Sequence, residues 1–233
     1  MKNFKYSLSI IIPLLNETKS LNKTIKIISK IKIKKEIIVV ISRKLIFDET
    51  KLFLNRLKKN NREIKIFYQK KPFVGGAVSM GISKSKFSHV VLMAADLETN
   101  PYHLKKFVTK SLKYQNSIIC GDRWIKKNSF KRYGVLGLFL NMLAQKFIKV
   151  FVNININDFT FAYRIYPKDA LKNCKISEFR NGWSLELLIC PYKKNYDFIA
   201  VSTDWNARTE GEKSSAIKNY ISFFRILIYY LFK

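Results

Sequence analysis

Apolar positions along the chain fall into short unbroken runs, separated by stretches in which they recur every three to four residues. Ser9 to Leu15, Glu36 to Ile41, Ile64 to Tyr68 and His89 to Ala95 have the length and β-branched content of strands. Between them Leu21, Ile25, Ile28 and Ile31 share one helical face, as do Leu52, Phe53 and Leu57. Gly75 and Gly76 open a helical segment through Ala77, Met80 and Gly81, a further helix follows Pro101, and Ser117 to Gly121 is again a strand. Strands alternating with helices predict an α/β fold with a mostly parallel central sheet and helices on both faces.

The pattern changes after Gly121. Tyr133 to Val152 reads as one long helix in which Asn141, Gln145, Lys146 and Lys149 interrupt an apolar surface, suited either to the core or to a membrane surface. Asp158 to Tyr166 reads as a loop entering a strand, Trp183 to Tyr192 as a helix and Phe198 to Ser202 as a last strand. From Ile217 to Lys233 the chain is apolar and aromatic, with Lys218, Arg225 and Lys233 spaced along it. That segment is too short to cross a bilayer and has the make-up of a C-terminal amphipathic helix at an interface; packing on the domain or on a second chain is the alternative. The expected division is a domain over residues 1–215 and this helix over 216–233.

A chain of 233 residues that is 48% hydrophobic fits one domain with a sizeable core. Its formal charge of +28 comes mostly from Lys spread over the whole length, as biased base composition alone would produce. Used physically, such charge attracts an anionic membrane surface, a phosphorylated substrate or nucleic acid. Nucleic acid is disfavoured, because Lys in every segment is not a patch and no recognition element accompanies it. Cys120, Cys174 and Cys190, three widely spaced residues, suggest neither a disulfide framework nor a zinc site and suit a reducing cytosol. The N-terminal apolar run contains Pro13 and passes into Asn16 and Glu17, so it reads as the first strand rather than a leader.

The chemistry concentrates between Phe87 and Pro101. A buried-type strand there ends in Asp96, followed by Glu98. At the carboxyl edge of an open α/β sheet, where ligands bind, two such carboxylates can offer oxygens to one divalent cation. The plainer reading of Asp96 is a cap for the helix after Pro101. His89 and His103 read as structural. Asp158 is a base or, preferably, a tie to Arg164 across its turn.

Taken in order, these pieces resemble the family 2 glycosyltransferases of GT-A fold, and within them the dolichol-phosphate mannose synthase and polyprenyl-phosphate glycosyltransferase group. SIIIPLLNE is similar to the family's first strand and turn, KKPFVGGAVSMGI to its glycine-rich helix start, and VVLMAADLETNP to the strand carrying D-x-D. CGDRW is similar to G-S-R-Y, DFTFAYRIYP to D-x-T-S-G-F-R, and WNARTEGEKSS to the closing R-x-x-G-x-S-K. The resemblance implies transfer of a sugar from a nucleotide-diphosphate donor to a polyprenyl phosphate or glycolipid, on the cytosolic face of a membrane. It implies Asp96 and Glu98 as ligands of Mg2+ or Mn2+, and Pro13, Glu17, Ala95, Asp96, Glu98, Arg208 and Lys213 as the donor site. Asp96 and Arg208 would be catalytic, with Arg123 and Arg132 on the acceptor phosphate. Glu186 falls at a commonly acidic position whose role is open.

The chain departs from that pattern at two places. The second strand, which in the family ends in two acids that contact base and ribose, ends here in Ile41, Ser42 and Arg43, and the first acid of D-x-D is Ala94. Asp48 and Thr50 are the remnant of the D-x-T that follows. A degenerate member that binds a membrane or partner and catalyses nothing therefore stands as the alternative.

Overall fold

The computed structural model describes residues 6–131, 133–208, 210 and 216–231, with side chains in the last helix described over 222–230. In chain order the elements are β1 (Ser7–Leu14), α1 (Thr18–Ile28), β2 (Lys34–Ile41), α2 (Asp48–Asn60), β3 (Ile64–Tyr68), α3 (Phe73–Lys84) and β4 (His89–Leu92). They continue as α4 (Leu104–Lys113), β5 (Ile118–Asp122), β6 (Phe130–Lys131), α5 (Val135–Phe151), β7 (Arg164–Pro167), α6 (Trp183–Tyr192), β8 (Phe198–Ser202), β9 (Trp205–Asn206) and α7 (Ala216–Leu231).

The seven-stranded sheet has the order β3-β2-β1-β4-β7-β5-β8. β1 runs parallel to β2 and β4, β2 to β3, and β5 to β8, whereas β7 is antiparallel to both neighbours. This is the α/β, GT-A arrangement expected, with one reversed strand. Because β7 is reversed between β4 and β5, its N-terminal end meets the carboxyl ends of the other strands. The loops after β1, β2, β3, β4, β5 and β8 thus share one rim with the loop entering β7.

Alternate strand residues feed two cores. Ile10, Ile12, Val39 and Val91 pack on α1, α2 and α4, while Ile11, Val40, Val90 and Leu92 pack towards α3, α5, α6 and α7. Burial on both faces explains the unbroken apolar runs. Helix α3 lies so close to β1 that a Cβ on Gly81 would stand 2.3 Å from Ile11 Cγ2.

Three expectations are corrected. β4 ends at Leu92 rather than Ala95, because the Ala94 N–H turns from the ladder to Thr99 Oγ1 at 2.9 Å. Asp96 is not the helix cap: Asn100 accepts from Tyr102 N–H at 3.0 Å and starts the 3-10 turn Pro101–His103 that leads into α4. Cys174 and Cys190 form a disulfide, with Cα atoms 5.8 Å apart. They stand 16 positions apart in sequence, but packing of α6 on the 3-10 turn Lys168–Leu171 brings them together.

Candidate active site

At the carboxyl rim of the sheet lies a cavity of about 1280 Å³, bordered by the loops after β1, β2, β3, β4 and β5, by the loop entering β7, and by Trp205, Ala207 and Arg208 beyond β8. Pro13 and Glu17 border it after β1. The Glu17 carboxylate accepts from the N–H groups of Leu15 and Asn16, at 2.9 and 3.1 Å, and so holds its own turn. Asn16 fastens the neighbouring loop: its Oδ1 accepts from Phe47 N–H and Thr50 Oγ1, both at 3.0 Å, and its Nδ2 donates to Leu45 O at 2.9 Å. Thr50 is thereby structural, and Asp48 pairs with Lys51 at the start of α2, 2.7 Å away.

Beyond β4, Ala95, Asp96 and Glu98 line the cavity. Leu97 between the two acids has a φ of 69°, a left-handed conformation rare for a side chain of that kind, and it turns both acids to the same region. Asp96 accepts from Glu98 N–H at 3.0 Å. Arg208, on the loop after β9, spans the pair: its Nε donates to Glu98 Oε1 at 2.9 Å, and Nη2 stands 3.5 Å from Asp96 Oδ2. Burial, reinforced by the charge of Glu98 and opposed by the Glu98 N–H and by Arg208, pushes the Asp96 carboxyl up to about 6. Acids crowded in this way are a place for positive charge, and Arg208 supplies it.

No group of three or more His, Cys, Asp or Glu side chains suited to a metal occurs among the described residues. The two carboxylates nevertheless fit Mg2+ or Mn2+, since these hard cations take oxygen ligands, and substrate phosphates and water commonly complete the set.

Arg123, at the end of β5, lines the cavity but is 5% exposed, and its guanidinium is engaged. Its Nε and Nη2 donate to the two oxygens of Asp158, at 2.5 and 2.9 Å, and the rings of Phe161 and Phe130 lie 4.4 and 5.2 Å from it. Asp158 therefore pairs with Arg123, not with Arg164 as the sequence suggested. Arg164 instead donates to the carbonyls of Phe159 and Ser184, at 2.6 and 2.8 Å. Gln145 completes the cluster: its Nε2 reaches Asn141 Oδ1, Thr160 Oγ1 and Asp158 Oδ1, and its Oε1 accepts from Phe159 N–H.

The remaining candidates are settled locally. Glu186 accepts from the N–H groups of Ser177 and Glu178, which ties down the loop before α6. His89 is buried between Ser88 Oγ and Gln115 O, and His103 contacts Thr203 Oγ1 at 2.8 Å. Arg132 and Lys213 lie outside the described residues. Ser42, Arg43, Lys44 and Leu45 form the β2 side of the cavity, with Arg43 stacked 4.6 Å over the ring of Tyr68. Sequence reasoning missed the cavity walls made by Trp183, Trp205 and Tyr133, for which isolated aromatics gave no signal.

Residues 9–174 match the family model described as Glycosyl transferase family 2. The chain belongs to glycosyl transferase family 2. Among solved structures it is similar to glucosyl-3-phosphoglycerate synthase from Mycobacterium tuberculosis. With the complex of that enzyme with phosphoglyceric acid the TM-score is 0.74 at 14% identity, over 96% of this chain and 79% of that one. With its complex containing Mn2+, UDP-glucose and phosphoglyceric acid the TM-score is 0.70 at 14% identity, over 97% and 78%. Its complex with Mg2+ and UDP gives the same four values: TM-score 0.70, 14%, 97% and 78%. Likeness at that identity establishes the GT-A fold. At the end of β2 this family 2 chain carries Ser42, Arg43 and Lys44 on the cavity wall, none of them acidic.

Proposed function

We propose that this family 2 chain transfers a hexosyl group from a nucleotide-diphosphate sugar to a polyprenyl phosphate or related glycolipid, in the manner of the dolichol-phosphate mannose synthases it resembles. The observation that carries the reading is the convergence of Asp96, Glu98 and Arg208 on one wall of a large rim cavity. In the reaction, an oxygen of the acceptor phosphate forms a bond to the anomeric carbon as the bond from that carbon to the diphosphate oxygen breaks. The bonding electrons leave with the nucleoside diphosphate. Asp96 and Glu98 would hold Mg2+ or Mn2+, which supplies Lewis-acid stabilisation of the departing phosphate. Arg208, released from the carboxylates, neutralises the same oxygens. Pro13, Glu17 and Ala95 border the donor, Lys213 is assigned to the diphosphate, and Arg123 and Arg132 are assigned to the acceptor phosphate.

An ionised phosphate acceptor needs no general base. That agrees with a site in which Asp158 is held by Arg123 and His89 is buried in the core. The solved structures give the donor reading support by analogy, since the M. tuberculosis enzyme was crystallised in complex with Mn2+, UDP-glucose and phosphoglyceric acid. A second reading, a catalytically degenerate protein that binds a membrane or partner and no donor, is favoured by Ile41, Ser42 and Arg43 at the β2 end.

Thermal unfolding separates the two readings. Mn2+ with UDP-glucose or GDP-mannose should raise the melting temperature of the natural chain, by the equivalent of about 2.7 kcal/mol at a hundredfold excess over Kd. Asp96→Ala should abolish the rise. No shift with either donor and metal in the natural chain would overturn the donor reading.

A further inference from the structure

Helix α5 has two unlike sides. Asn141, Gln145 and Ile148 face inward, whereas Val135, Leu136, Phe139, Leu143 and Val150 face outward, with exposures of 86% at Val135, 70% at Leu136 and 77% at Val150. The outward residues recur at helical spacing, so they form one continuous stripe. Helix α7 extends it: Phe223, Ile226 and Leu227 are buried against the domain, while Phe224 and Ile228 stay exposed, and the ring of Phe224 stacks on Phe147 of α5 with centroids 5.2 Å apart. The stripe is bordered by exposed Lys146, Lys149 and Arg225, and neither helix contains an acid. On their inner sides the same two helices border the cavity, whose lining includes Gly134, Gly137 and Asn141 of the α5 segment and Phe223 of α7.

We infer that the outward face of α5 and α7 docks on the surface of a bilayer containing anionic lipids. Contiguous apolar surface of this kind marks an interaction site, since scattered exposed apolar residues are ordinary but an ordered stripe is not. Charge selects the partner. A helix lying in the headgroup region inserts apolar side chains between acyl chains while flanking Lys and Arg meet lipid phosphates, and an acid-free border on a chain of charge +28 suits that surface. A second copy of the chain would bring the same cations against one another. Among the described residues no helix is long and apolar enough to cross a membrane. Docking requires no activity; its use, bringing the cavity mouth to a lipid-borne acceptor, rests on the function proposed above.

Vesicle flotation of the full chain tests the inference. The protein should float with phosphatidylcholine vesicles containing phosphatidylglycerol and remain in the dense fractions with phosphatidylcholine alone. Leu136→Glu with Val150→Glu, both far out on the exposed face, should weaken partitioning at least about tenfold while leaving the melting temperature unchanged. Undiminished flotation of this variant, or equal binding to neutral vesicles, overturns the proposal. So does a dimer in sedimentation velocity that the same substitutions disperse, which would give the face to a second copy. The variant should keep the donor-induced thermal shift. In the natural chain, failure to float with that shift present counts against this face alone, and a missing shift with flotation intact counts against the donor site alone.

Discussion

Glu36 is 2% exposed on β2 and keeps its charge through three donors: Ser9 Oγ at 2.7 Å, Lys86 N–H at 2.8 Å and Lys65 Nζ at 2.5 Å. Burial pushes its pKa up, but these hydrogen bonds and the Lys65 charge together outweigh it, so the group titrates below its ordinary 4.5. A depressed carboxylate stabilises the fold above the unfolded pKa and loses that contribution as pH falls through the folded value. Glu36→Gln should therefore cost about 2 kcal/mol near neutral pH, with the deficit shrinking below 4.5. Urea unfolding at both ends of that range checks it, and a deficit independent of pH would refute it. Gln145 invites a second substitution. Gln145→Leu leaves the Phe159 N–H, now bonded at 2.7 Å, without its acceptor in the interior, at a cost of about 2 kcal/mol in chemical denaturation. Asn141 and Gln145 were legible as polar breaks on an apolar helix. Their partners were not, because Asp158 and Thr160 reach them only through a loop that folds back from 13 and 15 residues away. Likewise Asp96 and Glu98 were legible from the strand they follow, whereas their pairing with Arg208 depends on a chain segment 110 residues later for Glu98.

Among the elements, the strands and helices of the first half follow their hydrophobic periods closely, since β1, β2 and β4 are buried on both faces and α1, α2 and α4 each bury one side. The reversal of β7 was not legible. Four residues that enter a sheet carry no mark of direction, and the neighbours decide it. Glycine was readable as a helix opening at Gly75 and Gly76, and a second close approach, with no signal in the sequence, sits further along α3. Gly81→Ala would place its Cβ 2.3 Å from Ile11 Cγ2, so either the helix must lift from β1 or the Ile side chain must leave its place. Overpacking of this sort costs about 1–3 kcal/mol. The variant should unfold at lower urea concentration, and Ile11→Val in the same chain, by removing the δ methyl that crowds beside Cγ2, should recover only part of the loss. Full stability of Gly81→Ala would mean that α3 and β1 are not in the contact described.

At the scale of the molecule, the alternation of strand and helix patterns made the class of fold legible, but cysteine spacing pointed away from a cross-link that tertiary packing creates. Cys174 and Cys190 are bonded, while Cys120 lies fully buried with its thiol pushed up to about 12 by that burial. The bond joins the segment after β7 to α6, and α6 both supplies Trp183 to the cavity wall and packs against α7. Closing a loop over a sequence separation of 16 residues restricts the unfolded chain, and the entropic estimate for such a loop is about 3 kcal/mol. Protein isolated without reductant and unfolded in guanidinium should consequently show one reactive thiol per chain, and Cys120→Ser should show none. Without denaturant the natural chain should react slowly even at Cys120, because its thiolate has to form in an apolar interior. Cys174→Ser with Cys190→Ser should fold to the same sheet with a lower melting temperature, and reductant should destabilise the natural chain but not this variant. Three reactive thiols in the freshly unfolded natural chain would remove the cross-link, and with it the expectation that reductant loosens the α6 wall of the cavity.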